Sequence, residues 1–115
     1  MKVFVYFNLH KKCWSVKAME GDQKGLVIMH ANTLSLERAA FKVSEAGRQR
    51  VLAEKRKNVH AGVVGHIVES LDTADCITPV SYNPYKAGYF FNKNTDEPVH
   101  YASKAFLHEK KVFIS

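Results

Sequence analysis

The sequence predicts an α+β fold, mostly antiparallel β-sheet with one basic helix near the middle of the chain. Three observations support this prediction: strand-like apolar runs fill both ends, polar turns separate them, and a single helix signal lies between them. The 115 residues suit one domain with a core of its own. Hydrophobic residues at 46% and charged residues at 24% are ordinary values for a globular protein.

The first third of the chain, residues 1–43, is predicted to be a β-meander. Residues 3–7 are all apolar or aromatic, which places such groups on both faces of a first strand. Three further strands are predicted at residues 13–19, 26–30 and 39–43, separated by polar or glycine-containing turns.

The middle of the chain is predicted to be a helix followed by a strand. Ser44 is a suitable N-cap, and Glu45 places an acid at the positive end of a helix over residues 44–58. Val, Ile and Gly dominate residues 59–68, which predicts a strand whose two glycines, Gly62 and Gly65, allow close backbone approach.

The last third is predicted to begin with a loop at residues 69–79, closed by Pro79, and to continue as a second β-meander at residues 80–115. This block resembles the first one. Residues 5–11 and 80–86 share the pattern V-x-aromatic-N-x-x-K, and residues 28–36 match residues 99–107 at three apolar positions. The repeat therefore suggests two duplicated β-meanders around the helix.

In a duplicated arrangement, Asn8 and Asn83 are turn residues, because Asn caps its own turn and tolerates left-handed backbone geometry. Lys11 and Lys86 then project from equivalent hairpin tips. The simplest interpretation is that the same motif makes the same turn twice.

The net charge of +6 is concentrated in the helical segment. Residues 42–57 hold six basic and two acidic residues, which is +4 of the total. Such a field attracts polyanions, although a solvated helix would show the same composition. Val51 and Leu52 define the apolar side of the helix, and Arg48 and Lys55 fall between them on the helical wheel.

Two interpretations of Arg48 and Lys55 stay open. Their stems can lie over the sheet while their heads reach water. Alternatively, their heads converge at the seam between sheet and helix and hold an anion, where an arginine offers a bidentate fork to phosphate. The candidate phosphate-binding residues are Arg48, Arg50, Lys55, Arg56 and Lys57. Candidate accessory residues are Lys11, Lys86, His60, Tyr85 and Tyr89, the two tyrosines as surfaces on which a base could stack.

Familiar catalytic and metal-binding patterns are missing from the sequence. There is no P-loop, no GxSxG and no histidine pair at metal-ligand spacing. Cys13 and Cys76 are expected to be free thiols, since neither lies in a CxxC and nothing marks a secreted chain. The acids Glu69, Asp72 and Asp75 share a polar loop and are expected to be solvated. We therefore expect no catalytic residue, no metal and no cofactor.

The segment from Gly47 to Ala61 and the stretch Tyr82-Asn83-Pro84-Tyr85-Lys86 resemble small phage and prophage proteins. The resemblance implies a phage origin and a cytoplasmic life in an infected or lysogenic bacterium, and it carries over no functional residue. It also implies an accessory role such as countering host defence.

Together these features predict a non-enzymatic protein that binds a phosphate-rich ligand, either nucleic acid or a sequestered nucleotide signal. The alternative is a protein that docks on an acidic surface of a host enzyme and inhibits it. A membrane partner is not expected, and a homodimer is expected because one helix is too small to cover the sheet.

Overall fold

The computed structural model describes residues 1–55, 59–69 and 71–115. Within those ranges it contains nine strands and one helix. In chain order they are β1 (Lys2–Asn8), β2 (Cys13–Ala18), β3 (Val27–Ala31), β4 (Thr33–Val43), α1 (Glu45–Glu54), β5 (Ala61–Ile67), β6 (Thr78–Ser81), β7 (Phe91–Asn92), β8 (Tyr101–His108) and β9 (Lys111–Ile114). The prediction of an α+β fold with mostly antiparallel sheet and a single helix is confirmed.

All nine strands form one antiparallel sheet in the order β3-β2-β1-β5-β4-β8-β9-β6-β7. Only Asn32 separates the end of β3 from the start of β4, although three strands lie between them in the sheet. In a flat sheet that separation would be about 19 Å, four strand spacings. The two residue steps from Ala31 to Thr33 span about 7 Å at most. The sheet must therefore roll, so that β3 and β4 lie end to end as one long bent strand.

The interior of this roll is filled by fully buried side chains. Val3, Val5, Val16 and Leu36 are fully buried, from strands β1, β2 and β4. The predicted close approach at the β5 glycines is confirmed at Gly62, where an added Cβ would lie 2.6 Å from the carbonyl oxygen of Val5 and closer still to the Phe4 ring. A side chain at that position would push β1 and β5 apart.

A bulge lengthens β4 beyond the prediction. Arg38 has a φ of 54°, and the register between β4 and β5 shifts between Glu37 and Ala40. Across the bulge the strand continues, so the predicted strand at residues 39–43 is the second half of an eleven-residue strand.

The second half of the chain extends the sheet beyond β4. Strands β8 and β9 form a hairpin, β6 pairs with β9, and β7 forms the far edge. The predicted loop ends earlier than expected, because β6 begins at Thr78 and Pro79 lies inside it opposite Phe113.

The two halves do not fold as duplicated meanders. In the first block β5 is inserted between β1 and β4, so residues 1–43 are not one continuous meander. Ala31 and Leu36 lie on two different strands, whereas their counterparts Ala102 and Leu107 lie together on β8. The local similarity is thus confined to a strand end and the turn that follows it.

The helix begins as predicted and ends earlier. The Ser44 hydroxyl accepts the backbone N–H of Gly47 at 3.2 Å, which caps the first turn. Lys55 adopts left-handed geometry with a φ of 55°, so α1 stops at Glu54 rather than near residue 57. Gly47 and Val51 are buried, while the predicted apolar partner Leu52 is half-buried. No helix in the described ranges is both long and apolar enough to cross a membrane.

Candidate binding cleft

A cleft of about 760 Å³ opens where the rolled part of the sheet, its extension and the helix meet. We call it the junction cleft. Its lining comes from the end of β1 and the turn after it, from β2, from the C-terminal half of α1, from residues 59–63, from β6 and the loop after it, and from the β8–β9 hairpin. Segments far apart in the chain thus build one concave surface.

The floor of the junction cleft is apolar and buried. It is made by five residues that belong to the main core or to the helix: Val51, Val63, Val80, Phe90 and Val112. The Phe90 ring packs 5.1 Å from the Tyr82 ring and 5.1 Å from the Phe41 ring, centroid to centroid. A rigid aromatic cluster therefore underlies the cleft.

The walls are aromatic, with Trp14 buried and Phe7, His60 and Tyr82 half-buried. On one side, the Phe7 ring meets the Trp14 indole edge-to-face at 5.2 Å. On the other side, the His60 and Tyr82 rings lie 5.4 Å apart, also edge-to-face. Such walls offer π-faces and ring edges to a flat ligand.

Trp14 carries an unsatisfied donor beside the cleft. Its side chain is 6% exposed, and its indole N–H is buried without a hydrogen-bond acceptor among the described residues. Leaving a buried donor unpaired costs about 1–3 kcal/mol. This donor belongs to a residue that lines the cleft.

The polar wall is fixed by the helix start. His60 Nε2 and the Tyr82 hydroxyl lie 2.7 Å apart in a hydrogen bond. The backbone N–H of Ser44 donates to the carbonyl of His60 at 2.6 Å. Gly47 is required here, because an added Cβ would lie 2.6 Å from the His60 Cβ. Burial raises the pKa of the Tyr82 hydroxyl above its usual value, with the nearby Arg48 acting in the opposite direction.

The rim of the junction cleft is exposed and basic. Lys55 lines it from the helix end, and Lys110 lines it from the turn between β8 and β9. The Lys110 ammonium lies 5.7 Å from the centroid of the Phe7 ring. Tyr85, 66% exposed, lines the same rim. Cations and an accessible aromatic ring therefore surround an apolar interior.

The residues singled out from the helix are only partly brought together. Lys55 reaches the junction cleft, but Arg48 does not line it. Arg48 donates from Nε to the carbonyl oxygen of Pro84 at 3.0 Å, and its Nη1 lies 3.2 Å from the Glu45 carboxylate. The two cations therefore do not converge on one anion, and Arg48 is held by the Pro84 carbonyl and the Glu45 carboxylate instead.

The other predicted residues divide in the same way. Arg50 is exposed and lies outside the lining. Arg56 and Lys57, also predicted to bind phosphate, fall outside the described residues. Among the accessory candidates, His60 and Tyr85 line the junction cleft, whereas Lys11, Lys86 and Tyr89 do not. Lys86 forms an ion pair with Asp96 at 2.7 Å instead.

Sequence analysis missed Phe7, Trp14 and Lys110 as cleft residues. Phe7 and Trp14 are partners across the local β1–β2 hairpin, but only the strand order brings this pair to Lys110 and the rest of the cleft, and strand order has no local signal. The acidic loop is also explained by the fold: the Lys104 ammonium binds the Asp72 carbonyl and the Asp75 carboxylate at 3.0 and 3.1 Å. Among the described residues, no group of three or more His, Cys, Asp or Glu side chains is placed to hold a metal ion.

The repeated motif supplies two facing walls. The turn after β1 contributes Asn8, Leu9 and His10 to the lining, and the turn after β6 contributes Pro84 and Tyr85. Both asparagines cap their own turns, as predicted. The Asn8 side chain accepts the N–H of His10 at 3.1 Å, and the Asn83 side chain accepts the N–H of Tyr85 at 2.9 Å.

Comparison with known proteins places the chain in a phage lineage. The family model described as Mycobacterium phage L5 gene 82 protein matches residues 1–115. The chain belongs to this family. The Gene 82 protein of Mycobacterium phage L5 is 40% identical over 118 residues, an alignment that covers 97% of this chain and 94% of that protein. The resemblance to small phage proteins is thereby confirmed, and the family's name carries no activity. No solved structure matches the chain.

Proposed function

We propose that this chain binds a nucleotide in the junction cleft and sequesters it without transforming it. One observation carries the proposal: an apolar, aromatic cleft of about 760 Å³ has lysines at its rim. Clefts of about 300–1,000 Å³ with few polar groups are typical of small-molecule sites. A nucleotide combines a flat base with phosphates, and therefore matches both parts of this surface.

The gradient from floor to rim sets the orientation of the ligand. The base fits the interior, where Phe7, Trp14 and Tyr82 offer aromatic surfaces. Burying a phosphate there would strip its water without compensation, whereas Lys55 and Lys110 meet it at the exposed rim. The ligand therefore enters base first.

The same geometry favours a nucleotide over a nucleic-acid duplex. Bases in a duplex are stacked, and an aromatic surface binds them only after they leave the stack. Nucleic acid is thus the second candidate ligand, and steep salt dependence of binding would reveal it.

Two wall residues, His60 and Tyr82, could exchange a proton with a ligand, and their hydrogen bond to each other favours sequestration over catalysis. His60 and Tyr82 hydrogen bond to each other, which orients their rings within the wall. A protein of a phage family that holds a nucleotide in this way would lower the free concentration of a host nucleotide signal. By removing such a signal, the protein would counter host defence.

The test uses the single tryptophan of the chain as a reporter, because Trp14 lines the junction cleft. Nucleoside mono- and diphosphates are titrated while tryptophan emission and heat of binding are recorded. Lys110→Gln should weaken binding about tenfold, the equivalent of about 1.4 kcal/mol. Lys111→Gln is the matched control, since Lys111 is the exposed neighbour outside the lining and should bind like the wild type.

Ligand carried through purification gives an independent answer. The protein is denatured after purification from phage-infected cells, and the released molecules are identified by ultraviolet absorbance and mass spectrometry. A released nucleotide supports the proposal. No released nucleotide together with no change in Trp14 emission at millimolar nucleotide would overturn it.

A further inference from the structure

Strand β3 is an exposed sheet edge. It pairs with β2 on one side, and the strand order ends there. Its other side presents backbone N–H and C=O groups that could accept a further strand. The opposite end of the sheet is formed by β7, which has only two residues. The long unpaired edge is therefore at β3.

This edge lacks charged side chains and proline, two of the usual protections against pairing, although its register with β2 shifts at a bulge between Val16 and Lys17. Natural edge strands carry lysine or proline, which discourage the addition of another chain. Residues 25–36 contain no Asp, Glu, Lys or Arg, and they form the longest uncharged run in the sequence. Leu26, Val27 and Met29 along this edge are 59%, 42% and 42% exposed.

We propose that β3 pairs antiparallel with β3 of a second copy and joins two sheets across a two-fold axis. Charge argues for a second copy. Two chains of net charge +6 repel each other where charged surfaces meet, and this uncharged edge is where two copies can approach. An antiparallel pair of identical strands also satisfies the two-fold symmetry of a homodimer.

The pairing has a natural centre at Met29. In that register Val27 lies opposite the partner's Ala31, and Met29 lies near the axis. A contact of one short strand per copy is small, so the dissociation constant is expected on the order of micromolar. The homodimer expected from the sequence is thereby assigned to a strand edge rather than to a sheet face.

The test is the mass of the full chain in solution as a function of concentration, measured by sedimentation or light scattering. The wild type should approach twice its 13.0 kDa mass at high micromolar concentration. Met29→Lys puts a charge at the centre of the pairing and should keep the chain at 13.0 kDa. Ile77→Lys is the matched control, because Ile77 is 77% exposed and lies outside every strand, and it should dimerise like the wild type.

Three results would overturn the proposal: a monomeric wild type at all concentrations, a dimeric Met29→Lys variant, or equal dissociation of the Met29 and Ile77 variants. Circular dichroism establishes that each variant is folded. If Met29→Lys does not fold, Val27→Lys replaces it, since Val27 lies on the same edge at the same 42% exposure.

Discussion

Two turns face each other across the junction cleft with the same local pattern, and they are held in different ways. At the first, the Asn8 side chain accepts two backbone N–H groups and donates to the Ser15 hydroxyl at 3.2 Å. Ser15 is fully buried and also bonds His30 at 2.9 Å. At the second, the Asn83 side chain accepts one N–H, from Tyr85.

The second turn is instead fixed from outside. Arg48 on α1 donates to the Pro84 carbonyl. Gly88, just after the turn, packs so closely that an added Cβ would lie 3.2 Å from a Glu45 carboxylate oxygen and 3.4 Å from Arg48 Nη1. The comparison teaches that the motif specifies the turn, while distant contacts specify its rigidity. The turn at Asn8 is anchored in its own hairpin, whereas the turn at Asn83 depends on the helix.

The largest difference in stability is expected between variants of the two asparagines. Asn8→Ala removes three hydrogen bonds and leaves the buried Ser15 hydroxyl with one partner fewer, so it should lower the free energy of unfolding by about 2–3 kcal/mol. Asn83→Ala removes one such bond and should cost about 1 kcal/mol. Urea denaturation of both variants measures this. Equal losses would show that the shared motif, and not its surroundings, sets the stability.

Part of this difference between the two turns could be predicted from the sequence. The capping roles of Asn8 and Asn83 follow from local chemistry, and so do the Ser44 cap and the strands β1, β2 and β5. The early end of α1 could not be predicted, because the left-handed geometry of Lys55 has no signal in a residue type that rarely adopts it.

The candidate cleft was less predictable than the fold. Their charge or ring makes Lys55, His60 and Tyr85 candidates from the sequence alone, and all three line the junction cleft. Phe7 and Trp14 pair within the local β1–β2 hairpin, but this pair and Lys110 join the other three only because the rolled sheet and the insertion of β5 bring distant segments together. Strand order is a non-local property that no window of sequence carries. The same reason explains why Arg48, chosen as an anion ligand, binds a loop carbonyl.

A smaller effect is expected from loosening only the second turn. Arg48→Lys keeps the charge and loses the Nε donor to Pro84, so we expect a loss of about 1–2 kcal/mol in unfolding free energy. Hydrogen exchange should accelerate at the amides of Lys86 and Ala87, which bond to the Asn83 carbonyl, and stay unchanged at Lys12. Arg50→Lys on the exposed side of the helix is the control. Unchanged exchange in the Arg48 variant would contradict the helix anchor.

The smallest effect on stability is expected at the aromatic position of the motif, which is Phe7 in the first turn and Tyr82 in the second. Tyr82 alone has a hydroxyl, which bonds His60, and its loss in Tyr82→Phe should cost about 0.5–1 kcal/mol near neutral pH. Burial raises the pKa of this hydroxyl in the folded chain. In the unfolded chain the Tyr82 hydroxyl ionises at about pH 10, its ordinary value.

Because the unfolded state releases this proton first, ionisation favours unfolding as the pH rises. The stabilisation from Tyr82 is therefore complete below about pH 10 and is lost as the pH increases through the raised folded pKa. The difference in unfolding free energy between the wild type and Tyr82→Phe should stay constant up to about pH 9 and then shrink. Urea denaturation from neutral to alkaline pH measures it, and Tyr85→Phe, at an exposed ring in the same turn, is the control. A difference that grows above pH 10, or one that the Tyr85 variant reproduces, would show that the Tyr82 hydroxyl is not the buried group of this wall.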